Sequence, residues 1–206
     1  MNTQFTDPVT LRGSHVLLEP LASAHAEGLA VAAADGELWK LWYTSVPKPE
    51  NMAADIARRL QLQAAGSMLP FAVRRKDTGQ LCGMTTFMHV DAVHRRVEIG
   101  STWHAASVQR SGVNTESKLL LLTHAFDHLQ CIAVEFRTNF MNLQSREAIA
   151  RLGAKQDGVL RNHQRTADGI LRDTVVYSVI DSEWPTVRRH LRFRLERHAR
   201  SRDSAC

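Results

Sequence analysis

Cysteine is scarce in this chain, and its scarcity removes several possibilities. Three cysteines, Cys82, Cys131 and Cys206, are spread over 206 residues in odd number. They match neither a disulfide framework nor a metal-ligand spacing. Cys82 and Cys131 sit within apolar stretches and read as buried thiols. No run of 18 apolar residues occurs, and Met1 to Pro8 has neither the basic patch nor the apolar core of a signal peptide. No membrane partner is therefore expected, and a cytoplasmic setting is. Internal repeats, low-complexity segments and an obvious linker are missing too. An apolar fraction of 44% and a charged fraction of 23% are ordinary for a folded domain, and the length suffices for one full core.

Charge of one sign is confined rather than spread. Between Pro185 and Cys206 stand seven arginines against Glu196 and Asp203, which accounts for the whole net charge of +5. The rest of the chain is neutral, so the basicity reads as a C-terminal appendage with a solvated face. Nucleic acid is not the expected partner, because no basic face interleaved with aromatics exists outside that tail.

Helical and strand-like stretches alternate, as in a mixed α/β fold. Strands are expected at His15–Glu19, Leu69–Arg75, Gln80–Val90, Arg95–His104 and Cys131–Arg137, the second and third joined by the turn Asp77-Thr78-Gly79. A final hairpin should pair Gly158–Thr166 with Ile170–Ile180 around 167–169. Helices are expected from a cap at Ser23 to about Ala34, from Pro49 to about Ala65, from Thr115 to Leu129, from Asn142 to Leu152, and from near Ser182.

The stretch Gln109-Arg110-Ser111-Gly112-Val113-Asn114-Thr115 joins a strand to the strongest helix. A glycine-containing turn at a helix start presents several backbone N–H groups in one direction, which suits a pyrophosphate. A single glycine in such a turn is weak by itself. His124 and His128 are four residues apart, but without an HExxH pattern or a third ligand no metal is expected.

In order and spacing these pieces resemble the GNAT superfamily, closest to its ribosomal-protein N-terminal (RimJ/RimL-like) branch. Gln109 and Gly112 match the acyl-CoA loop [RQ]-x-x-G-x-[GA], with Asn114 in place of the last small residue. Glu98-Ile99-Gly100 resembles the strand before it. Asn142 to Ser145, then Arg151-Leu152-Gly153, resemble the helix after it. The resemblance implies a GNAT domain over 11–182, which leaves the basic C-terminal helix or tail at 183–206. Its fold would be a central, mostly antiparallel twisted sheet with one splayed parallel pair, Arg95–His104 and Cys131–Arg137, and helices on both faces.

The resemblance also implies acetyl-CoA or another acyl-CoA as cosubstrate, no metal, and an amine acceptor that attacks the thioester directly. A homodimer stays open. Thr102, Trp103, His104, Asn142 and the loop 109–115 would bind the cofactor. The family's acid, a tyrosine seven positions after the asparagine, is here Ile149, so Ser145 is the candidate to meet the departing thiolate. Its hydroxyl alternatively bonds its own helical turn. Glu98, a carboxylate in an apolar strand, is the candidate base, with a salt bridge to Arg95, Arg96 or Arg137 as its alternative. Trp39, Trp42 and Tyr43 would wall the acceptor site or pack in the core. A non-catalytic acyl-CoA sensor remains the rival reading.

Overall fold

Strand-forming runs and Leu- and Ala-rich helical runs sort into one sheet with helices packed on it. The computed structural model describes residues 5–166 and 168–203. The chain order is β1 (Leu11–Arg12), β2 (Val16–Pro20), α1 (Ala26–Ala34), α2 (Met52–Ala64), β3 (Met68–Arg75), β4 (Leu81–Asp91), β5 (Arg96–His104), α3 (Gly112–Thr123), β6 (Ala133–Asn139), α4 (Leu143–Ala150), β7 (Lys155–Arg165), β8 (Leu171–Ile180) and α5 (Trp184–Asp203). The eight strands lie in the order β1-β2-β3-β4-β5-β6-β8-β7. All pair antiparallel except β5 with β6. No helix among the described residues is long and apolar enough to cross a membrane.

Two neighbouring threonines on β4 fix which helices share a face. Thr86 receives a hydrogen bond from Arg59 of α2, whereas Thr85 receives one from Lys118 of α3. Adjacent strand residues point to opposite sides, so α2 and α3 cover opposite faces. The core between sheet and helices is built on Phe71, Phe87, Phe136, Leu29, Ile56, Leu121 and Leu122, all essentially inaccessible to solvent.

Several expectations are corrected. Ser23 does not cap α1: residues 23–25 form a 3-10 turn, the ring of His25 accepts the Ala22 N–H, and α1 starts at Ala26. The helix after the candidate phosphate loop begins at Gly112, not Thr115, and widens to a π turn over His124–His128. The basic C-terminal segment forms a helix, as expected, and that helix also packs on the domain. It folds as α5, whose Trp184, Val187 and Leu191 join the same core as the sheet. Trp184 stacks on Phe126 at 5.4 Å and its indole N–H donates to Asp127 at 3.0 Å. Ala167, within the expected final turn, and Cys206 lie outside the described residues.

The parallel ladder between β5 and β6 is short. It runs from Arg96–Ala133 to Glu98–Glu135, after which the strands are no longer paired to each other. On its other edge β5 stays paired with β4 as far as His104, and β6 stays paired with β8 as far as Asn139. A bulge explains the divergence. The β4–β5 register slips between Met84 and Thr86, and Ser101 adopts a left-handed backbone with φ 46°. One extra residue on one strand bends it and sharpens its twist. Gly83 is needed opposite the bulge, because a Cβ there would collide with the carbonyl oxygen of Trp103.

Candidate active site

Where β5 and β6 part, a cleft of about 1340 Å³ opens through the sheet. Its lining includes Glu98, Thr102, Trp103, His104, the segment Val108–Gly112, Asn114, Thr115, Asn142, Ser145 and Ile149. Most of the expected site residues thus converge on one space, though they come from four separate elements. The unpaired edges of both strands leave backbone N–H and C=O groups facing the gap. Buried groups of that kind need partners, and an extended amide-containing chain would supply them.

At one mouth of the cleft stands the start of α3. Ser111 caps it, its hydroxyl oxygen accepting the N–H of Val113 at 3.3 Å. Arg110 holds φ 60°, which turns the chain sharply into the helix. The remaining first-turn N–H groups are aimed outward, and the macrodipole favours an anion there. Gln109 donates to the His104 carbonyl at 3.2 Å and accepts from Gln144 of α4 at 3.2 Å, so α4 stands across the cleft on the face of α3. Arg194, Leu195 and His198 of α5 complete this mouth. Gly112 faces that helix: an added Cβ would lie 3.3 Å from a His198 ring carbon and 3.5 Å from a Leu195 methyl.

Asn142 is the N-cap of α4, its side-chain oxygen accepting the Ser145 N–H at 3.0 Å. The cap aims the first turn of α4 at the cleft, where Asn142, the half-buried Ser145 and the buried Ile149 all contribute to the wall.

Deeper on the same face lies a residue the sequence reading passed over. Lys118 is 5% exposed, and its ammonium donates to Thr102 Oγ1 at 2.6 Å and Thr85 Oγ1 at 3.2 Å. Burial lowers its pKa to about 7. Beside it, His104 is buried, its Nε2 without a hydrogen-bond partner among the described residues, and burial together with the Lys118 charge lowers its pKa to about 3. A signal was present in the sequence. Lys118 stands three and four residues before Leu121 and Leu122, on the buried face of the helix.

On the opposite face Glu98 is 6% exposed, and its strand partner Met88 shares the side of Thr86 and α2. Its carboxylate meets the His89 ring at 2.8 Å and Arg137 at 3.5 Å. Burial raises its pKa above the ordinary value, while His89 and Arg137 oppose the rise. Of the anticipated salt-bridge partners only Arg137 approaches it, since Arg96 pairs with Glu135. His89 was invisible in sequence because a bulge between Met88 and Asp91, with φ 46° at His89, swings that ring toward Glu98.

Tyr43 lines the cleft beside Leu38, Leu41 and Thr44. Trp42 is largely exposed and packs edge-on against Tyr43 at 5.6 Å, and neither Trp42 nor Trp39 is part of the cleft wall. His124 and His128 lie 5.5 Å apart between ring centroids, with Phe87 against His124. Among the described residues no cluster of three metal-ligating side chains occurs. Both Cys82 and Cys131 are buried, and burial pushes their thiols up to about 11 and about 12. Neither is an accessible nucleophile.

Residues 15–155 match the family model described as an acetyltransferase (GNAT) domain. A Bacillus subtilis protein carrying the provisional name ribosomal N-acetyltransferase YdaF is 33% identical over 106 residues, which is 52% of this chain and 57% of that protein. The matched segment therefore spans little more than half of that relative. A GCN5-related N-acetyltransferase from Brucella melitensis superposes with a TM-score of 0.82 at 28% identity, covering 92% of this chain and 86% of that one. RimJ of Mycobacterium smegmatis, solved in complex with CoA-disulfide, superposes with a TM-score of 0.76 at 22% identity over 90% of this chain and 94% of that one, a likeness of fold.

Proposed function

Because the chain belongs to the GNAT acetyltransferase family, in its RimJ/RimL-like branch, we propose that it moves an acetyl group from acetyl-CoA to a primary amine by direct attack within a ternary complex. A protein N-terminus is the favoured acceptor class, supported by the name of the Bacillus subtilis relative. A small-molecule amine is the alternative acceptor, and the setting is cytoplasmic.

One observation carries the reading: the cleft pierces the sheet, with a buried carboxylate on one face and the candidate anion site on the other. Such a passage lets two substrates meet from opposite sides. On the α3 side, the first-turn N–H groups that the Ser111 cap leaves open, those of Gly112 and Asn114, take the phosphates, with Arg110 and Arg194 adding charge at the mouth. The frayed edges around Thr102, Trp103 and His104 hold the pantetheine arm as a strand neighbour would, with Asn142 opposite. Acetyl-CoA supplies an activated thioester. On the α2 side, Tyr43 borders the amine path and packs against the exposed Trp42.

An amine must shed a proton to attack and is mostly protonated near neutral pH. Glu98, kept ionised by His89 and Arg137 but raised by burial, takes that proton directly or through water. The hydroxyl of Ser145 donates a hydrogen bond to sulfur as charge develops on it. Cys82 and Cys131 have no part in the reaction.

The deciding experiment measures thiol release from acetyl-CoA with a panel of peptide N-termini and small amines, with mass spectrometry of the acceptors. Acceptor-dependent release with a gain of one acetyl group is expected. Tight acetyl-CoA binding without release for any acceptor would replace the enzyme by an acyl-CoA sensor.

A further inference from the structure

A lysine buried without a carboxylate is costly, and this one stands against the cleft. Lys118 has three N–H donors, and the two hydroxyls it reaches are neutral. Around it face Thr85 from β4 and Thr102 and His104 from β5, and the nearest acid on its own helix is occupied. Glu116 accepts the N–H groups of Ser14, His15 and Val16 at 2.8, 2.7 and 2.8 Å, which ties α3 to the β1–β2 turn. The ammonium is thus the only buried cation on this side of the cleft among the described residues.

Resting on the acetyl-transfer reading, we propose that Lys118 is the proton source for the departing thiolate, delivering through the hydroxyl of Thr102. Thr102 Oγ1 lies within hydrogen-bond distance of both Lys118 Nζ (2.6 Å) and Thr85 Oγ1 (2.8 Å) and lines the cleft. As the C–S bond breaks, the electron pair stays on sulfur. The Thr102 hydroxyl gives its proton to sulfur and takes one from the Lys118 ammonium. Lys118 is left as a neutral amine and regains a proton from solvent in the next turnover. The protonated acceptor gives up two protons, one before attack and one as the amide forms, and both leave through Glu98 to solvent. Charge and protons balance without any further reactant.

The chemistry of the alternatives favours this assignment. A serine or threonine hydroxyl is far too weak an acid to lose a proton outright to a thiolate, whose conjugate acid has a pKa of about 8.5. Ser145 can donate a hydrogen bond, and Thr102 can pass a proton on, but neither can be its origin. Ile149, at the family's tyrosine position, carries no proton at all. Lys118, lowered to about 7, is a stronger acid than the thiol it faces. Its neighbour His104 is too weak a base to hold a proton there.

Two readouts test this, one of them independent of turnover. The chain has five lysines, so side-chain NMR of isotopically labelled protein resolves each titration without substrate. One resonance, lost in Lys118→Met, should titrate near pH 7, and a Lys118 that titrates with the surface lysines overturns the proposal. In single-turnover kinetics the wild type should lose rate as pH rises through that midpoint. Lys118→Met should run about 100-fold slower, without that limb and with acetyl-CoA affinity changed less than threefold. Lys118→Arg keeps the charge but cannot release a proton, so it should be as slow as the methionine variant. Wild-type turnover in Lys118→Arg would leave the lysine a charge-bearing residue only. Ile149→Tyr should restore part of the rate to Lys118→Met, which no merely structural role of Lys118 permits. If neither variant folds, the wild-type titration and limb still decide: a profile level from pH 6 to 9 defeats the proposal. Absence of any turnover in the wild type would instead strike the acetyl-transfer reading, whatever the titration shows.

Discussion

Glu98→Gln separates the chemistry of the carboxylate from its packing. The substitution keeps the volume and leaves an oxygen to accept from His89, now 2.8 Å from the carboxylate, but it removes the base. Loss of a positioned general base costs roughly 10²- to 10⁴-fold, or about 3–5 kcal/mol in the barrier. The lower end applies here, because a fraction of the amine is already free at neutral pH. Stability should move the other way. Burial raises the Glu98 pKa above 4.5, so between that value and its folded pKa the native state holds more protons than the unfolded chain. Stability therefore falls as pH rises through that window, and at neutral pH the ionised carboxylate is a burden that glutamine lacks. The lost attraction to Arg137 at 3.5 Å offsets part of the gain. The assay is kcat for wild type and variant from pH 5 to 9 with one peptide acceptor, together with thermal melts. In the ratio of the two rates the acceptor's own ionisation cancels only above its amine pKa, so the deficit should peak near neutrality and shrink at high pH. Equal rates across the range in a folded variant would refute the role of Glu98 as base.

Ser145→Ala should lower kcat by ten- to a hundredfold, about 1–3 kcal/mol, with little change in acetyl-CoA affinity. Ile149→Tyr in the same background should restore part of it, and undiminished turnover of Ser145→Ala removes the hydroxyl from the mechanism. Gly112→Glu should cut CoA affinity by more than tenfold, as titration calorimetry would read. Gly112→Ala, whose methyl meets His198 and Leu195 of α5 and the ring of His15, should lose stability but keep affinity. Trp184→Ala should cost about 3–5 kcal/mol in denaturant melts, since it empties a buried site and removes the indole hydrogen bond to Asp127, which keeps its ion pair with Arg188. An unchanged midpoint would return α5 to the status of an appendage.

Local pattern carried the elements, and distance carried the rest. The long apolar runs at β3, β5 and β6 were legible because buried strands need them, and the Gln109–Gly112 turn was legible because a helix start leaves N–H groups open. The N-cap of α1 was misread because the His25 ring, two residues after Ser23, closes that turn by accepting the Ala22 N–H. The place of α5 was hidden because net charge describes its solvent face, whereas Trp184, Val187 and Leu191 describe the other. His89 and Ser101 depend on bulges, which leave no periodic trace. Trp42 was singled out for its type, but only its neighbour Tyr43 points into the cleft. Lys118 needed only to be read by helical spacing, as a charge one turn before the buried Leu121 and Leu122.

Glu98 and Lys118 stand on opposite faces of β5, and their shifts run in opposite directions for one reason: burial penalises whichever form is charged. Between the raised pKa of the carboxylate and about 7 for the amine, both are ionised and both weigh against the fold. Those are also the forms the proposed reaction needs, a base ready to accept and an acid ready to give. Above about pH 7 the folded protein releases the Lys118 proton while the unfolded chain keeps its own up to 10.5. Over that interval the unfolded state binds more protons, so this residue makes stability rise with pH. Melts of the wild type should therefore show a gain on passing from pH 6.5 to 8.5 that Lys118→Met lacks, while turnover over the same span falls. A protein selected for stability alone would place a leucine or methionine at 118 and lose nothing from its core. Coincidence of the stability gain with the loss of rate, both abolished by the one substitution, would tie the cost of burying the lysine to its work.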